Sequence, residues 1–493
     1  MTTVKRVLSQ NWFLFVVIAL FLLLRLPSLF EPYWYGDEGI YLTLGNAIRK
    51  GLTLYTQIHD NKPPSLYYLA AFGQTVFGFR LLLMFFMAPS VYLFYKLSRH
   101  LLSPPASRFS TLIFVILSSI PLIEGNIANA EVFMLLPTLL GIYLFYKQQN
   151  LKTALAAGLL LGLAFSIKVP VAVEMAFLCF WLICLHFDFK WSYFSKKLKN
   201  NVALIVVLAA AFSVPVLLWL VYFAYKHALP QFLYAALLQN FGYLSSWTTG
   251  SQKSTATQGG LMTRGLLMAI SWLIVFFLNY RKIIDKKLAF ILLWFSAALF
   301  GSLLSGRPYP HYLIQLLPSF CLLLVWIFQK KISFFSRILP ILFILFFAFT
   351  IYRFHFYAYK TLPYYANFYS YALNRKSRTD YNAYFGSQVN TTELVSAYIK
   401  ANTQPSDRIF IWGDEPYIYA LSDRLPSGRY TVAYHIVDFN GYTETIDSLK
   451  IYLPKFIIMF PMNGRPFPEL SKFIYRYYQL VNIIGPAHIY RLI

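Results

Sequence analysis

Cysteine is nearly missing from this chain. Its three copies in 493 residues, Cys179, Cys184 and Cys321, lie inside apolar runs with no CxxC or Cys/His spacing. That argues against a disulfide framework and against a cysteine metal site. No HxxxH or HExxH spacing occurs either, so the helical zinc signature is absent. Internal repeats, heptad arrays and low-complexity tracts are also lacking, which removes solenoids and coiled coils. Charge is sparse at 13%, and acid is the sparser sign, with 19 Asp and Glu against 43 Lys and Arg. A formal charge of +24 suggests nucleic acid at first sight. The basic residues, however, stand in short clusters between apolar runs, and no basic face carries stacking aromatics, so nucleic acid is not an expected partner.

What the chain has in abundance is hydrophobic side chains, 58% of residues, with 19% aromatics. This is the composition of a multispan membrane protein. Lys5 and Arg6 precede an apolar stretch over 12–30 that is too long for a signal-peptide core and has no small-residue cleavage site. It reads as an uncleaved first span. Further runs of crossing length lie near 81–97, 109–123, 131–146, 153–168, 170–186, 202–225, 262–279, 288–304, 312–328 and 334–352, for about eleven spans in all.

The piece Ser65 to Phe79, SLYYLAAFGQTVFGF, decides the topology. At 1.5 Å per residue it covers only about 22 Å of a roughly 30 Å core. If it lies in the interface, one side of the membrane receives Lys5/Arg6, Lys96/Arg99/Arg108, Lys147/Lys152, Lys190/Lys196/Lys197/Lys199, Arg281/Lys282/Lys286/Lys287 and Lys330/Lys331/Arg337. That is the cytoplasmic side by the positive-inside rule. The first outer loop is therefore expected to carry interfacial helices, with Arg80 opening the second span from outside.

In that register the outer side collects Asp37 and Glu38 in WYGDEGIY, Asp60 and Lys62 in HDNKPPSLYY, Arg80, Glu124 and Glu131, Lys168 in a tight Ser-Ile-Lys-Val-Pro hairpin, and Arg307 and His311 in GRPYPHY. Charges near membrane depth are costly, so their convergence from separate spans marks a functional site. Each also has a plain structural reading. Asp37 can cap the following helix with Glu38 in its first turn. The KPP element can be a turn, Glu131 a favourable first-turn acid, Lys168 a helix-terminal cation, and Arg307 and His311 interfacial anchors. One carboxylate of the Asp-Glu pair also suits a general base, which needs only reach to an acceptor hydroxyl.

Beyond about residue 353 the chain turns polar. AYIKANTQ and EPYIYALS read as helices, and RIFIWG, KFIIMF and HIYRLI as strands. The expected organisation is a membrane domain over 1–352, a linker over 353–387 and a small α/β domain over 388–493. An odd span count puts that last domain outside the cytoplasm, on the plasma-membrane face where the charged cluster lies. Asp414 and Glu415 in IWGDEPYIY read as a loop and helix cap there.

The order of these elements resembles membrane glycosyltransferases of the GT-C class. The branch is the one holding protein O-mannosyltransferases, dolichyl-phosphate-mannose-dependent mannosyltransferase-like bacterial proteins and the lipid A aminoarabinose transferase. YGDEGIY, DNKPPSLYYLAA, ANAEVFMLLP and GRPYPHYLIQLLP carry the resemblance, which runs over 10–352. It implies an inverting transfer of mannose or a related hexose from a polyprenyl-phosphate donor to an extracytoplasmic protein, lipid or glycan acceptor, with membrane lipids as surroundings. Asp37 matches the catalytic acid position, with Glu38 beside it. Arg80, Lys168, Arg307 and His311 are then the cations for the donor phosphate, and Glu131, Lys62 and Asp60 support them or the acceptor. Relatives differ in metal use, and nothing in the sequence requires or forbids a divalent ion. A lipid-sugar flippase, or a ligase or polymerase using a polyprenyl-pyrophosphate donor, are the alternative readings.

Overall fold

A computed structural model describes residues 2–186, 191–240, 256–330, 332–461 and 464–493. Among these, six helices are long and apolar enough to cross a bilayer: Trp12–Phe30, Val76–Leu101, Ala130–Lys147, Lys199–Tyr225, Gly260–Tyr280 and Phe334–Phe354. Shorter apolar helices include Pro104–Leu117, Leu151–Phe165, Val169–Leu185 and Leu317–Trp326. Helix Lys286–Ser302 is buried along nearly its whole length. The chain is thus a mostly helical, multi-pass membrane protein with a small sheet near its C-terminus. Lys190 and Lys331, from the basic clusters expected on the cytoplasmic side, lie outside the described residues.

Local signals explain where the helices begin. Ser103 precedes two prolines at the first positions of Pro104–Leu117, where a missing N–H costs nothing. Asn150 forms a capping box with Thr153, and Asp285 and Ser333 accept from Lys287 N and Ser336 N. Helix packing uses small residues: a Cβ on Gly158 would meet the Leu208 carbonyl and, at 2.6 Å, Ala211 Cβ. The segment Ser65 to Phe79 is not one element. Helix Ser65–Gly73 stops where Gln74 takes a φ of 64°, and Val76 already begins the long helix that ends at Leu101. Arg80 therefore sits within the first turns of that helix and does not open it.

Contacts group the chain into two units. One comprises Met1–Leu26, Leu83–Val221 and Gln239–Thr361, and the other Pro27–Leu82, Tyr222–Leu238 and Leu362–Ile493. In the second, helix Gly36–Arg49 packs on helix Ser65–Gly73 and is pinned to the C-terminal segment. Thr43 Oγ1 donates to Pro416 O at 2.8 Å, Asn46 to Asp423 at 2.9 Å, and Lys50 pairs with Asp423 at 2.8 Å. Residues 353–387 carry helices Thr361–Ala372 and Arg378–Ala383. The sheet has β1 Arg408–Trp412, β2 Leu425–Pro426, β3 Phe456–Met459, β4 Tyr478–Ile484 and β5 Ala487–Leu492 in the order β2-β1-β3-β5-β4. β1 runs parallel to β2 and β3, and β5 runs antiparallel to β3 and β4.

Strand alternation gives this sheet a core on each face. Phe410, Trp412 and Ile457 pack with helices Tyr442–Ile451 and Pro468–Tyr477. Ile409, Ile411 and Ile458 pack with helices Val389–Ala401 and Tyr417–Ser422.

Candidate active site

The two adjacent carboxylates of WYGDEGIY part company in the structure. Helix Gly36–Arg49 starts one residue before Asp37, its N-cap is Tyr35, and no side chain caps it. Asp37 is thus not the cap the sequence suggested but a first-turn residue, where the helix dipole favours its charge. Its side chain is 29% exposed, Tyr41 OH donates to its Oδ2 at 3.0 Å, and Lys62 Nζ stands 3.5 Å away. Glu38, one residue on, points to the other side of the helix and has no exposed surface.

Glu38 belongs to a buried network. Arg80 Nε and Nη2 donate to its two oxygens at 2.8 and 2.6 Å, while Nη1 reaches Glu31 at 2.7 Å and Ser28 O at 2.8 Å. Tyr364 OH donates to the other Glu31 oxygen at 2.5 Å. Arg80 and both carboxylates are fully desolvated at the side chain. Arg80 and Glu38, expected as a phosphate cation and a catalytic acid, are thus bonded to each other and sealed from water. Glu31, which completes the network, has no short-range sequence signal.

Lys62 occupies the centre of the second unit's charged cluster. Tyr67 OH accepts its backbone N–H at 3.1 Å and Tyr55 OH donates to its carbonyl at 2.8 Å, so two buried tyrosines clamp the KPP turn. Its Nζ lies 3.6 Å from Asp60 and 5.0 Å over the Tyr41 ring. Asp60 is buried, which alone would favour its neutral form, yet Lys62 and then His435 outweigh burial and hold its carboxyl below the usual range. His435 Nε2 is 3.8 Å from Asp60. Burial dominates at His435 and lowers its affinity for a proton, despite Asp60. Sequence reading missed His435 and its ring neighbour His59, whose centroids are 6.1 Å apart. His59 stands inside the very motif that was read for Asp60 and Lys62.

The first unit holds the other group. Lys168 Nζ pairs with Glu131 at 2.7 Å and lies 5.1 Å over the Tyr312 ring. His311 bonds Glu124 through Nδ1 and approaches Glu131 at 3.9 Å through Nε2. Burial opposes charge on this imidazole, but Glu131 and the bond to Glu124 prevail and raise its pKa. Tyr309 stacks on it with rings 10° from parallel. Arg307 is half-buried in the same loop, its backbone N–H donating to Ser305 Oγ at 3.2 Å. Deeper, Gln315 Nε2 donates to both oxygens of buried Glu174 at 3.0 and 2.8 Å. Asp37, Asp60 and Lys62 are therefore together in one unit, and Glu131, Lys168 and His311 in the other. Among the described residues, no group of three or more His, Cys, Asp and Glu is arranged to hold a metal ion.

Residues 61–219 match the family described as dolichyl-phosphate-mannose-protein mannosyltransferase. ArnT from Cupriavidus metallidurans, solved with undecaprenyl phosphate, superposes with a TM-score of 0.57 at 11% identity, over 97% of this chain and 98% of that one. The fold is GT-C. The same ArnT in its apo state gives 0.52 at 13% identity over 98% of each chain. The oligosaccharyltransferase of Archaeoglobus fulgidus gives 0.48 at 12% identity over 91% of this chain and 69% of its own. No curated protein matches.

Proposed function

We propose that this GT-C chain is an inverting glycosyltransferase that moves mannose or a related hexose from a polyprenyl-phosphate donor to an extracytoplasmic protein, lipid or envelope-glycan acceptor. The mannosyltransferase family match over 61–219 and the fold shared with ArnT, a protein solved with undecaprenyl phosphate, support the donor class. One observation carries the assignment of the base. Of the paired carboxylates, Glu38 is spent on Arg80, whereas Asp37 is partly open to solvent with a lysine beside it.

In the reaction so read, the acceptor hydroxyl attacks the anomeric carbon and gives its proton to Asp37. The bond from that carbon to the phosphate oxygen breaks, and its electron pair leaves with the lipid phosphate. Lysine, arginine and charged histidine are suited to receive that growing charge. Lys62, which shares a unit with Asp37 and is held by Asp60, fills this role in the proposal. Lys62 and Asp60 thereby move from acceptor support to the donor side, because they stand next to the base.

The clusters Lys96/Arg99/Arg108 and Lys147/Lys152, at loops joining apolar helices, favour an active face opposite the cytoplasm. The test is turnover in lipid nanodiscs with polyprenyl-phosphate mannose, reading released lipid phosphate. Asp37→Asn should bind donor normally and lose about 10²- to 10⁴-fold in rate. Release that continues at the wild-type rate would remove Asp37 from the chemistry. Turnover of pyrophosphate-linked donors alone would instead favour a ligase, and donor translocation without release a flippase.

A further inference from the structure

A cavity of 340 Å³ in the first unit is lined from three helices, Thr2–Arg25, Val76–Leu101 and Pro104–Leu117, at the ends of their apolar stretches. Its lining carries Lys96, Arg99, His100 and Arg108 and no acid. Lys96, Arg99 and His100 share a face of the second helix at three- and four-residue spacing, and Arg108 comes to them from the third. The first helix supplies Trp12 and Phe13, the latter packed on Tyr95 with ring centroids 5.1 Å apart.

The partners of these cations are aromatic and uncharged. Arg99 Nη1 donates to Tyr95 OH at 3.3 Å, the Arg108 guanidinium lies 5.5 Å from the Trp12 ring centroid and 5.9 Å from that of Phe13, and Lys96 Nζ stands 5.4 Å over Tyr92. Among the described residues none of the four makes an ion pair. The charged groups acting on His100 are Lys147, Lys287, Lys96 and Arg99, all cations. Two ordinary causes cover part of this. The last turn of a helix favours Arg99 and His100, and the positive-inside rule favours basic residues between spans. Neither calls for Lys96, more than a turn back from Leu101, to share a cavity with Arg108 of another helix. Like charges gathered there repel, and an anion between them removes the repulsion.

We infer that this cavity binds the headgroup phosphate of an anionic bilayer phospholipid. A basic pocket between membrane helices suits a lipid phosphate: each guanidinium offers forked N–H donors to its oxygens, and Lys96 adds a point charge. A zwitterionic headgroup would bring its own cation into a lining without an acid. The surface beside the cavity selects a lipid over a soluble phosphate. Trp12, Phe15 and Val16, about half exposed and spaced i, i+3, i+4, run as an apolar stripe along the first helix, and Phe109 is exposed next to Arg108. Acyl chains can lie on these side chains while the phosphate meets the cations. The site shares no residue with the Asp37 cluster and does not depend on the sugar-transfer reading.

The test is lipid retention. Full-length protein in detergent micelles is titrated with phosphatidylglycerol and with phosphatidylcholine at fixed ionic strength, and bound lipid is counted by native mass spectrometry. Phosphatidylglycerol should bind about tenfold or more tightly than phosphatidylcholine. Each basic side chain near a membrane surface is worth about fivefold in affinity for anionic lipid. Lys96→Gln, Arg99→Gln, Arg108→Gln together should therefore remove the preference, and Arg108→Gln alone, at an exposed position, should reduce it about fivefold. Neither variant loses an ion pair, so the melting temperature without added lipid should match the wild type; if the triple variant melts early, the single one carries the test. Lys152→Gln, Lys282→Gln takes two exposed cations from elsewhere in the same unit and should leave the preference intact. Equal affinity for the two lipids, an equal loss in the Lys152 and Lys282 variant, or displacement of the lipid by equimolar inorganic phosphate would each overturn the inference.

Discussion

Arg80→Met distinguishes a structural arginine from a phosphate-binding one. The guanidinium makes four bonds of 2.6 to 2.8 Å to Glu31, Glu38 and Ser28 O, and all three charged side chains are sealed from water. Methionine fills similar volume but strands two carboxylates in a dry site. Removing one partner of a buried ion pair costs about 3–5 kcal/mol. Whole domains have only about 5–15 kcal/mol in hand, so the variant should unfold in far milder denaturant. The triple variant Glu31→Gln, Arg80→Met, Glu38→Gln should regain most of the lost stability, because no charge is then left unpaired. The assay is chemical unfolding in nanodiscs, followed by tryptophan fluorescence and limited proteolysis. If Arg80→Met unfolded like the wild type but raised the donor KM, Arg80 would be a donor-binding residue and the argument from the buried network would fail.

Other outcomes follow from particular groups. Burial pushes the Glu415 carboxyl from 4.5 up to about 7. The folded state then binds more protons than the unfolded between those values, so stability falls as pH rises across that window, by about 3 kcal/mol in all. Glu415→Gln should flatten the slope and be the more stable form at pH 8; an unchanged slope would contradict burial as the cause. His311 behaves as a raised histidine, so the stability it contributes is fully present below about pH 6.5 and is lost as pH rises through its folded value. His311→Gln should accordingly cost more at pH 6 than at pH 9 in the same unfolding measurement, and an equal cost at both would argue against a charged imidazole. A Cβ on Gly45 would lie 2.6 Å from Ala71 N and 2.7 Å from Ala70 C, both rigid helix backbone. Gly45→Ala should destabilise by about 1–3 kcal/mol, and wild-type stability would show that the two helices can part without cost.

How much of this was legible in the chain depends on the range of the interaction. Hydropathy marks the long spans because a helix crossing lipid must be apolar over its own length, a local property. β1, β3 and β5 were legible for a similar reason: RIFIWG, KFIIMF and HIYRLI are short apolar or alternating runs. β4 was not, since its middle residues face out and read as no stretch of core. The long helix beginning at Val76 was hidden by Gly73 and Gly78, which look like breakers but sit at a close approach where a Cβ on Gly73 would meet Phe79 Cα at 2.6 Å. Charged positions followed the same division. The neighbourhood of Lys62 with Asp60 is two residues long and was readable, whereas Arg80 meets Glu38 across 42 residues and His311 meets Glu124 across 187. A charge's place in the sequence tells which loop carries it; it does not tell whether the fold has already neutralised it. That distinction separates Asp37 from Glu38, one peptide bond apart. The helix turns about 100° between them, enough to give one carboxylate to a buried arginine and leave the other beside a lysine and open to solvent.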